Sequence, residues 1–310
     1  MENQGQLGKA GVELSKTSAV VKKALSSRYL IRYALPNLGR GSARELAFPL
    51  SRLGRLLFKE GYSAEMMKAI YLQDSQPYGL FDRIFLGYPL HRAIYRRLQI
   101  LNRLIETELR QRLEELAERD IITIMTAPSG YAFDLFQPLE RIARSNPKEI
   151  EAIYVLASDL DPARRIQSEL LQAARRAGIG FEFVRGDLAS AHVRRQLQCT
   201  APYDIVVFVG LSTWMPRPHL VSHLRLIRED LLAPGGVLFT DCFTPGGFAL
   251  TGKYLGYKAN YYQPREFTSI LAYCGFAPDD VTWESGPEGI NHVCVARMER
   301  RELRKLRELD

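Results

Sequence analysis

Apolar residues recur every three or four positions through the first third of the chain, and then the spacing changes. From Leu90 to Arg119 the positions Ile94, Leu98, Leu101, Ile105, Leu109, Leu113 and Leu116 trace one face of a long amphipathic helix. Upstream, Ser42-Ala-Arg-Glu45 has the form of a capping box ahead of Leu46, Leu50, Leu53, Leu56 and Leu57. Ser63 opens a shorter helix that would bury Met66, Met67, Ile70 and Tyr71. From Asp120 onward, short β-rich apolar runs alternate with helical ones. Strands are expected over 121–125, 152–157, 181–184, 204–209, 237–241, 280–284 and 292–298, with helices over 133–142, 162–177, 219–232 and 264–274. Such alternation predicts an α/β fold, a doubly wound sheet with right-handed crossovers and helices on both faces. Only Ser285-Gly-Pro-Glu-Gly289 separates the last two strands, which is short enough for a hairpin, so one antiparallel strand is expected in an otherwise parallel sheet of seven. The chain divides accordingly into a helical region 1–118, an α/β region 119–299 and a charged tail 300–310.

Composition narrows this picture. The chain has 310 residues, 46% of them apolar, enough to bury one large and one smaller core. No apolar run reaches the roughly 18 residues of a membrane span, and the amino terminus lacks the pattern of a signal peptide. Cys199, Cys242, Cys274 and Cys294 form no Cys-x-x-Cys pair, which suits reduced thiols in a cytoplasmic protein. No His, Cys, Asp or Glu grouping has metal-ligand spacing, so no metal site is expected. Charge is unevenly placed. Residues 1–60 carry eleven Lys/Arg against four Asp/Glu, a surplus equal to the +7 of the whole chain. The basic residues within 9–59 would suit a membrane surface or another anionic partner, or else form a solvated helix surface.

Candidate chemistry lies where strands end. Asp159 closes the run Tyr154-Val-Leu-Ala-Ser-Asp159, Asp187 closes Phe183-Val-Arg-Gly-Asp187, and Pro234-Gly235-Gly236 precedes a third strand. Ligands of open α/β sheets bind outside the carboxyl ends of the strands. One carboxylate there can accept hydrogen bonds from ribose hydroxyls, and a second can take an adenine amino group. The pair therefore predicts a nucleoside site.

Five segments in this order resemble the class I S-adenosylmethionine-dependent methyltransferases: Asp159-Leu-Asp-Pro162, Gly186-Asp187-Leu188, Tyr203-Asp-Ile-Val-Val-Phe-Val-Gly210, Leu232-Ala-Pro-Gly-Gly236 and Cys274-Gly-Phe276. The helical lead-in Leu57-Phe-Lys-Glu-Gly-Tyr-Ser63 and the stretch 71–94 are similar to the methyltransferases often fused to an α/β-hydrolase domain. The resemblance implies the methyltransferase variant of the Rossmann fold with S-adenosylmethionine as cofactor. Asp159 and Leu160 would sit at its ribose, Asp187 and Leu188 at its adenine, and Ala127, Ser129, Gly130 and Tyr131 along its methionine end, with Gly210 a further cofactor-binding residue. The helical region would serve as a lid.

The glycine-rich loop departs from that family. Ile124 stands where the family carries an acid, Thr126 and Pro128 replace two glycines, and Gly130 alone remains. Pro128 donates no amide hydrogen, although Ser129, Gly130 and Tyr131 still can. Asp134, in the following helix, is the acid that could stand in. At the fourth-strand exit, Gly210-Leu-Ser-Thr-Trp214 lacks the Asn/Asp-Pro-Pro-aromatic pattern of base-amine methylation, which disfavours nucleic acid. The aromatic segment 243–262 suits a small apolar, aromatic or lipid-like acceptor, methylated on oxygen or carbon. An oxygen acceptor needs a base, for which His219 is the best-placed histidine and Tyr262 a hydrogen-bonding alternative. Two other readings stay open: a binding protein that kept the fold without turnover, and an RNA-directed enzyme using the basic amino-terminal stretch. The acceptor and the oligomeric state are not fixed by the sequence.

Overall fold

The computed structural model describes residues 50–116, 121–160, 164–244 and 259–299. The capping box at Ser42–Glu45, most of the basic stretch 9–59, the positions Phe248, Tyr254 and Tyr257 and the tail 300–310 lie outside the described residues. Contacts divide the chain into two compact units between Arg92 and Ala93, inside the long helix. The change of periodicity near residue 118 falls at the other end of that helix.

In the first unit, α1 (Arg52–Glu60), α2 (Ala64–Tyr71) and α3 (Leu80–Leu86) follow one another closely. Ser51 caps α1 by accepting from the Gly54 amide at 2.9 Å, and it donates to Asp82 at 2.6 Å. Ser63 caps α2 through the Met66 amide. Met66 and Ile70 are buried as expected, while Met67 and Tyr71, rotated off that stripe, stay half-buried. His91 is enclosed by Phe85, Tyr88 and Tyr62, and its Nδ1 donates to the Phe85 carbonyl at 2.7 Å. Burial lowers its pKa to about 4, so the imidazole is neutral and its Nε2 accepts from Tyr62 Oη at 3.2 Å.

The second unit is built on the sheet. The long helix α4 spans Pro89–Glu114. The following elements are β1 (Ile122–Thr126), α5 (Phe133–Ser145), β2 (Ile153–Asp159), α6 (Arg165–Ala177), β3 (Gly180–Arg185), α7 (Ala191–Thr200), β4 (Tyr203–Phe208), α8 (Arg217–Leu226), β5 (Leu232–Phe243), α9 (Pro264–Tyr273), β6 (Val281–Ser285) and β7 (Asn291–Arg297). Sheet order is β3-β2-β1-β4-β5-β7-β6, with the first five strands parallel and β7 antiparallel to both its neighbours. This is the doubly wound, mostly parallel seven-stranded sheet that the alternation predicts, in the methyltransferase variant of the Rossmann fold.

Two elements differ from the sequence reading. Helix α7 has no counterpart in the periodicity, because only Val193 and Leu197 are buried among Arg, Gln and His. Its start is set by Ser190, which accepts from the Val193 amide at 3.3 Å. The Pro234-Gly235-Gly236 segment is part of β5, where pairing slips from Tyr203↔Leu232 to Ile205↔Val237. A side chain at Gly236 would come within 2.7 Å of the Ala233 carbonyl, so the bulge requires glycine there.

Helix α4 spans the height of the sheet. Near its end, Arg112 bonds Glu108 at 2.8 Å, Asp204 at 3.2 Å and the Gly235 carbonyl at 2.8 Å, all at the amino-terminal side of β4 and β5. Near its start, Arg97 reaches Asp241 at the other end of β5. Fifteen helical residues rise about 22 Å and six strand residues about 20 Å, so one straight helix serves both strand ends.

Candidate functional site

At the carboxyl edge of β1, β2 and β3 the loops are tied to one another. Asp159, half-buried at the end of β2, accepts the Gly130 amide on Oδ2 at 2.7 Å. Its carbonyl accepts from Gly186 at 2.9 Å, and Ser129 donates its amide to the Ser158 carbonyl at 2.8 Å. Ala127 is buried and bonds the Val207 carbonyl, while the Tyr131 ring is buried with Phe133 6.2 Å from it. Just past Asp159, Leu160 lies 63% exposed, an apolar surface next to a carboxylate. Asp187 is exposed and its Oδ1 accepts the Ala189 amide at 2.8 Å, with Leu188 buried beneath. Asp159, Gly130 and Ser129 are therefore brought together, while Asp187 follows on the neighbouring strand. The Ser129 hydroxyl is buried and has no hydrogen-bond partner among the described residues.

The other half of the edge, at β4 and β5, holds residues that the sequence did not single out. Asp241, fully buried, accepts from Gly210 N at 2.7 Å on Oδ1, and on Oδ2 from Arg97 and Asn291, each at 2.8 Å. Its carbonyl accepts from Ser212 Oγ at 2.5 Å. One carboxylate thus fixes the exit of β4. Gly210 adopts φ +85, a backbone conformation that penalises any side chain, so this expected cofactor residue is held as glycine by its backbone. Asp134, in the first turn of α5, feels both Arg97 and Asp241. Burial lifts its pKa to about 6, with Arg97 and the amides of Asp134 and Leu135 pulling the other way. The sequence signal for this cluster was weak: Arg97 sits among many helix arginines, and Asp241 and Asn291 sit inside apolar strands.

The two residues expected to support proton transfer lie apart in character. His219 is exposed in the first turn of α8. Tyr262 is 5% exposed, edge-on to Phe267 at 5.7 Å, its amide bonded to the Phe243 carbonyl, and burial raises its pKa. No hydrogen bond joins the two among the described residues. One turn below His219, His223 donates Nδ1–H to the His219 carbonyl at 2.7 Å and stacks on Phe208 with ring centres 6.1 Å apart. Its Nε2 is buried and has no hydrogen-bond partner among the described residues. Asn260 straps the segment before Tyr262 onto the β4 exit, through the Thr213 and Met215 carbonyls, each at 2.7 Å. The Thr213 hydroxyl and Asn291 Oδ1 are also buried and unsatisfied among the described residues, a state that costs about 1–3 kcal/mol per group unless another group or water supplies the bond.

No family model and no curated protein matches the chain. Solved structures do. A "possible exported protein" from Bordetella parapertussis matches with a TM-score of 0.69 at 18% identity, over 92% of this chain and 96% of that one. The magnesium protoporphyrin IX methyltransferase of Synechocystis PCC 6803 with bound SAH matches with a TM-score of 0.48 at 12% identity, over 77% of this chain and 96% of that one. A DszA carbon methyltransferase has a TM-score of 0.49 at 16% identity, over 83% of this chain and 63% of that one. The first of these likenesses speaks to the fold alone.

Proposed function

We propose that the chain is an S-adenosylmethionine-dependent methyltransferase acting on a small, apolar or aromatic acceptor, with transfer to oxygen or carbon. The observation that carries this reading is the joined edge of β1, β2 and β3, where Asp159, the Gly130 amide and the orphaned Ser129 hydroxyl converge beside exposed Leu160. These groups fit a nucleoside carrying an amino-acid tail: acceptors for ribose hydroxyls, an apolar surface for a base, and a buried hydroxyl that lacks its bond. Asp159 and Leu160 would hold ribose, Asp187 and Leu188 adenine, and the Ala127–Tyr131 loop with Gly210 the methionine end.

When bound, the cofactor supplies a methyl group already activated on a sulfonium. What the chain must add is alignment and exclusion of water. The Asp241 bonds to Gly210 and Ser212 hold the β4 exit rigid for that purpose, and Asn260 holds the opposite strap against it. His219 is exposed and serves as base only if the acceptor hydroxyl reaches the start of α8. Tyr262 would hold an acceptor by a hydrogen bond.

Calorimetric titration of the whole chain with S-adenosylmethionine tests the reading. Saturable binding, weakened at least tenfold by Asp159→Ala, is expected; no binding overturns it. A non-catalytic binding protein is favoured by one feature: the Gly130 amide, a donor suited to a ligand, is taken by Asp159. Cofactor binding without turnover on a broad acceptor panel would select that alternative. Steeply salt-dependent RNA binding would instead point to the basic stretch 9–59 as a clamp.

A further inference from the structure

The exposed large apolar side chains of the first unit gather on one rim. Among the described residues of that unit they are Leu50, Leu80 and Phe81, which are 47%, 70% and 42% exposed. Hydrogen bonds bring them together. Asp82 Oδ1 accepts from Ser51 Oγ at 2.6 Å and from the Leu53 amide at 3.0 Å. These bonds hold the start of α1, with Leu50 just ahead of it, against the first turn of α3, where Leu80 and Phe81 directly precede Asp82. The core of the unit lies elsewhere, at the fully buried Leu57, Met66, Ile70 and Phe85. Single exposed apolar residues are ordinary on a protein surface, but three from two segments tied by one carboxylate form a patch.

Arginines flank the rim. Arg55 Nη1 donates to the Leu50 carbonyl at 3.2 Å, and Arg83 Nε to the Tyr78 carbonyl at 3.0 Å. Arg52, exposed in the first turn of α1, acts on the same tyrosine: burial and Asp82 raise the pKa of the Tyr78 hydroxyl, and Arg52 opposes them. Across 50–58 and 75–83 the charged residues are these three arginines and Asp82, whose Oδ1 is already bonded within the unit. Residues 1–49 add eight Lys/Arg against three Asp/Glu. Apolar side chains among guanidiniums match the boundary of an anionic bilayer, where hydrocarbon lies beneath a layer of phosphate. A nucleic acid would use the cations and leave Leu80 and Phe81 in water.

We propose that Leu50, Leu80 and Phe81, with Arg52, Arg55 and Arg83, form a docking surface for an anionic lipid membrane. The three apolar side chains enter the acyl boundary, and the guanidiniums bond lipid phosphates beside them. This surface belongs to the first unit alone. It is independent of the methyltransferase reading and stands whether or not the chain binds S-adenosylmethionine.

The experiment is sedimentation of the whole chain with vesicles of phosphatidylcholine alone and of phosphatidylcholine with added phosphatidylglycerol. Partition should favour the anionic vesicles and weaken as salt rises. It should fall about tenfold when Leu80→Ser and Phe81→Ser are combined. Both side chains are exposed in the folded chain, so thermal unfolding should stay near that of the wild type. Phe81→Trp keeps the apolar surface and gives a second readout. It should bind as the wild type does, with an indole emission that moves to shorter wavelength on anionic vesicles by more than the wild type shows. That readout decides the matter if the serine variant folds poorly. No partition to anionic vesicles overturns the proposal. So does partition that the serine pair leaves unchanged, since the basic residues would then act without the apolar rim. Salt-dependent RNA binding without vesicle binding overturns it in favour of a nucleic acid. Self-association abolished by the serine pair, without vesicle binding, overturns it in favour of a second copy of this chain.

Discussion

The two halves of the sheet's carboxyl edge are built by different means. At β2 and β3 the acids are contributed by strand ends, lie partly or fully exposed, and bond amides of adjoining loops. At β4 and β5 an acid is buried and held by an arginine 144 positions away and an asparagine 50 positions away. The first half can lose a side chain and keep its fold, since water replaces what is lost. The second cannot, because each of its members leaves another stranded in a dry environment. Side-chain chemistry and structural integrity are thus separable in one half and coupled in the other.

Asp241→Ala is the sharpest way to break this contrast. It takes a buried carboxylate from the Arg97 guanidinium and removes an acceptor from the Gly210 amide and from Asn291, so a loss of about 3–5 kcal/mol in denaturant-unfolding stability is expected. A loss below about 1 kcal/mol would show that water enters the cluster and would erase the distinction.

Asp134→Asn should act in the opposite direction. A carboxyl whose folded pKa lies above its unfolded value favours folding at low pH, and that contribution is lost as pH rises through about 6. At neutral pH the ionised group is therefore a burden, and the amide should raise stability by about 1–3 kcal/mol, with the gain vanishing below about pH 4. Urea midpoints across pH measure it. His91 has the reverse sign: its folded pKa of about 4 means that stability falls as pH drops below the unfolded value near 6.5. The two slopes oppose each other between about pH 4 and about pH 6, so Asp134→Asn should also expose the His91 slope.

On the exposed half, Asp159→Ala should cost at least tenfold in cofactor affinity, about 1.4 kcal/mol, while thermal unfolding moves little. A large fall in melting temperature would mean that the Asp159–Gly130 bond carries structure as well as recognition. The smallest effect is expected at Gly210→Ala. Its φ of +85 penalises any side chain, but the nearest atoms of Arg97 lie at 3.7 Å, so about 1 kcal/mol is expected from backbone strain alone.

Much of the sheet was legible in the sequence because strand and helix periods are local properties. β1 to β7 fall within a few residues of the expected runs, Ser63 caps its helix, and the α4 stripe is buried from Ile94 to Leu113, with Leu116 lying past the helix end at Glu114. Helix α7 escaped because two buried residues make too thin a stripe to stand out. Asp159 and Asp187 could be picked out as strand-end acids, since a carboxylate closing an apolar run is visible without knowing its neighbours. Arg97, Asp241 and Asn291 could not, because an arginine on a helix and polar residues within a strand are each unremarkable until folding brings them within 3 Å.

The sequence by itself determined the alternation of strands, the antiparallel end of the sheet and the acids at the ends of β2 and β3, since all of these follow from short-range patterning and from where strands stop. Only the tertiary structure decided which charges are buried together at the β4 exit, that Asp241 rather than a glycine-rich loop organises it, and that desolvation pushes the Asp134 carboxyl up. The reason is physical: periodicity is encoded residue by residue, whereas desolvation and charge pairing depend on distances that exist only once α4, β5 and β7 have packed.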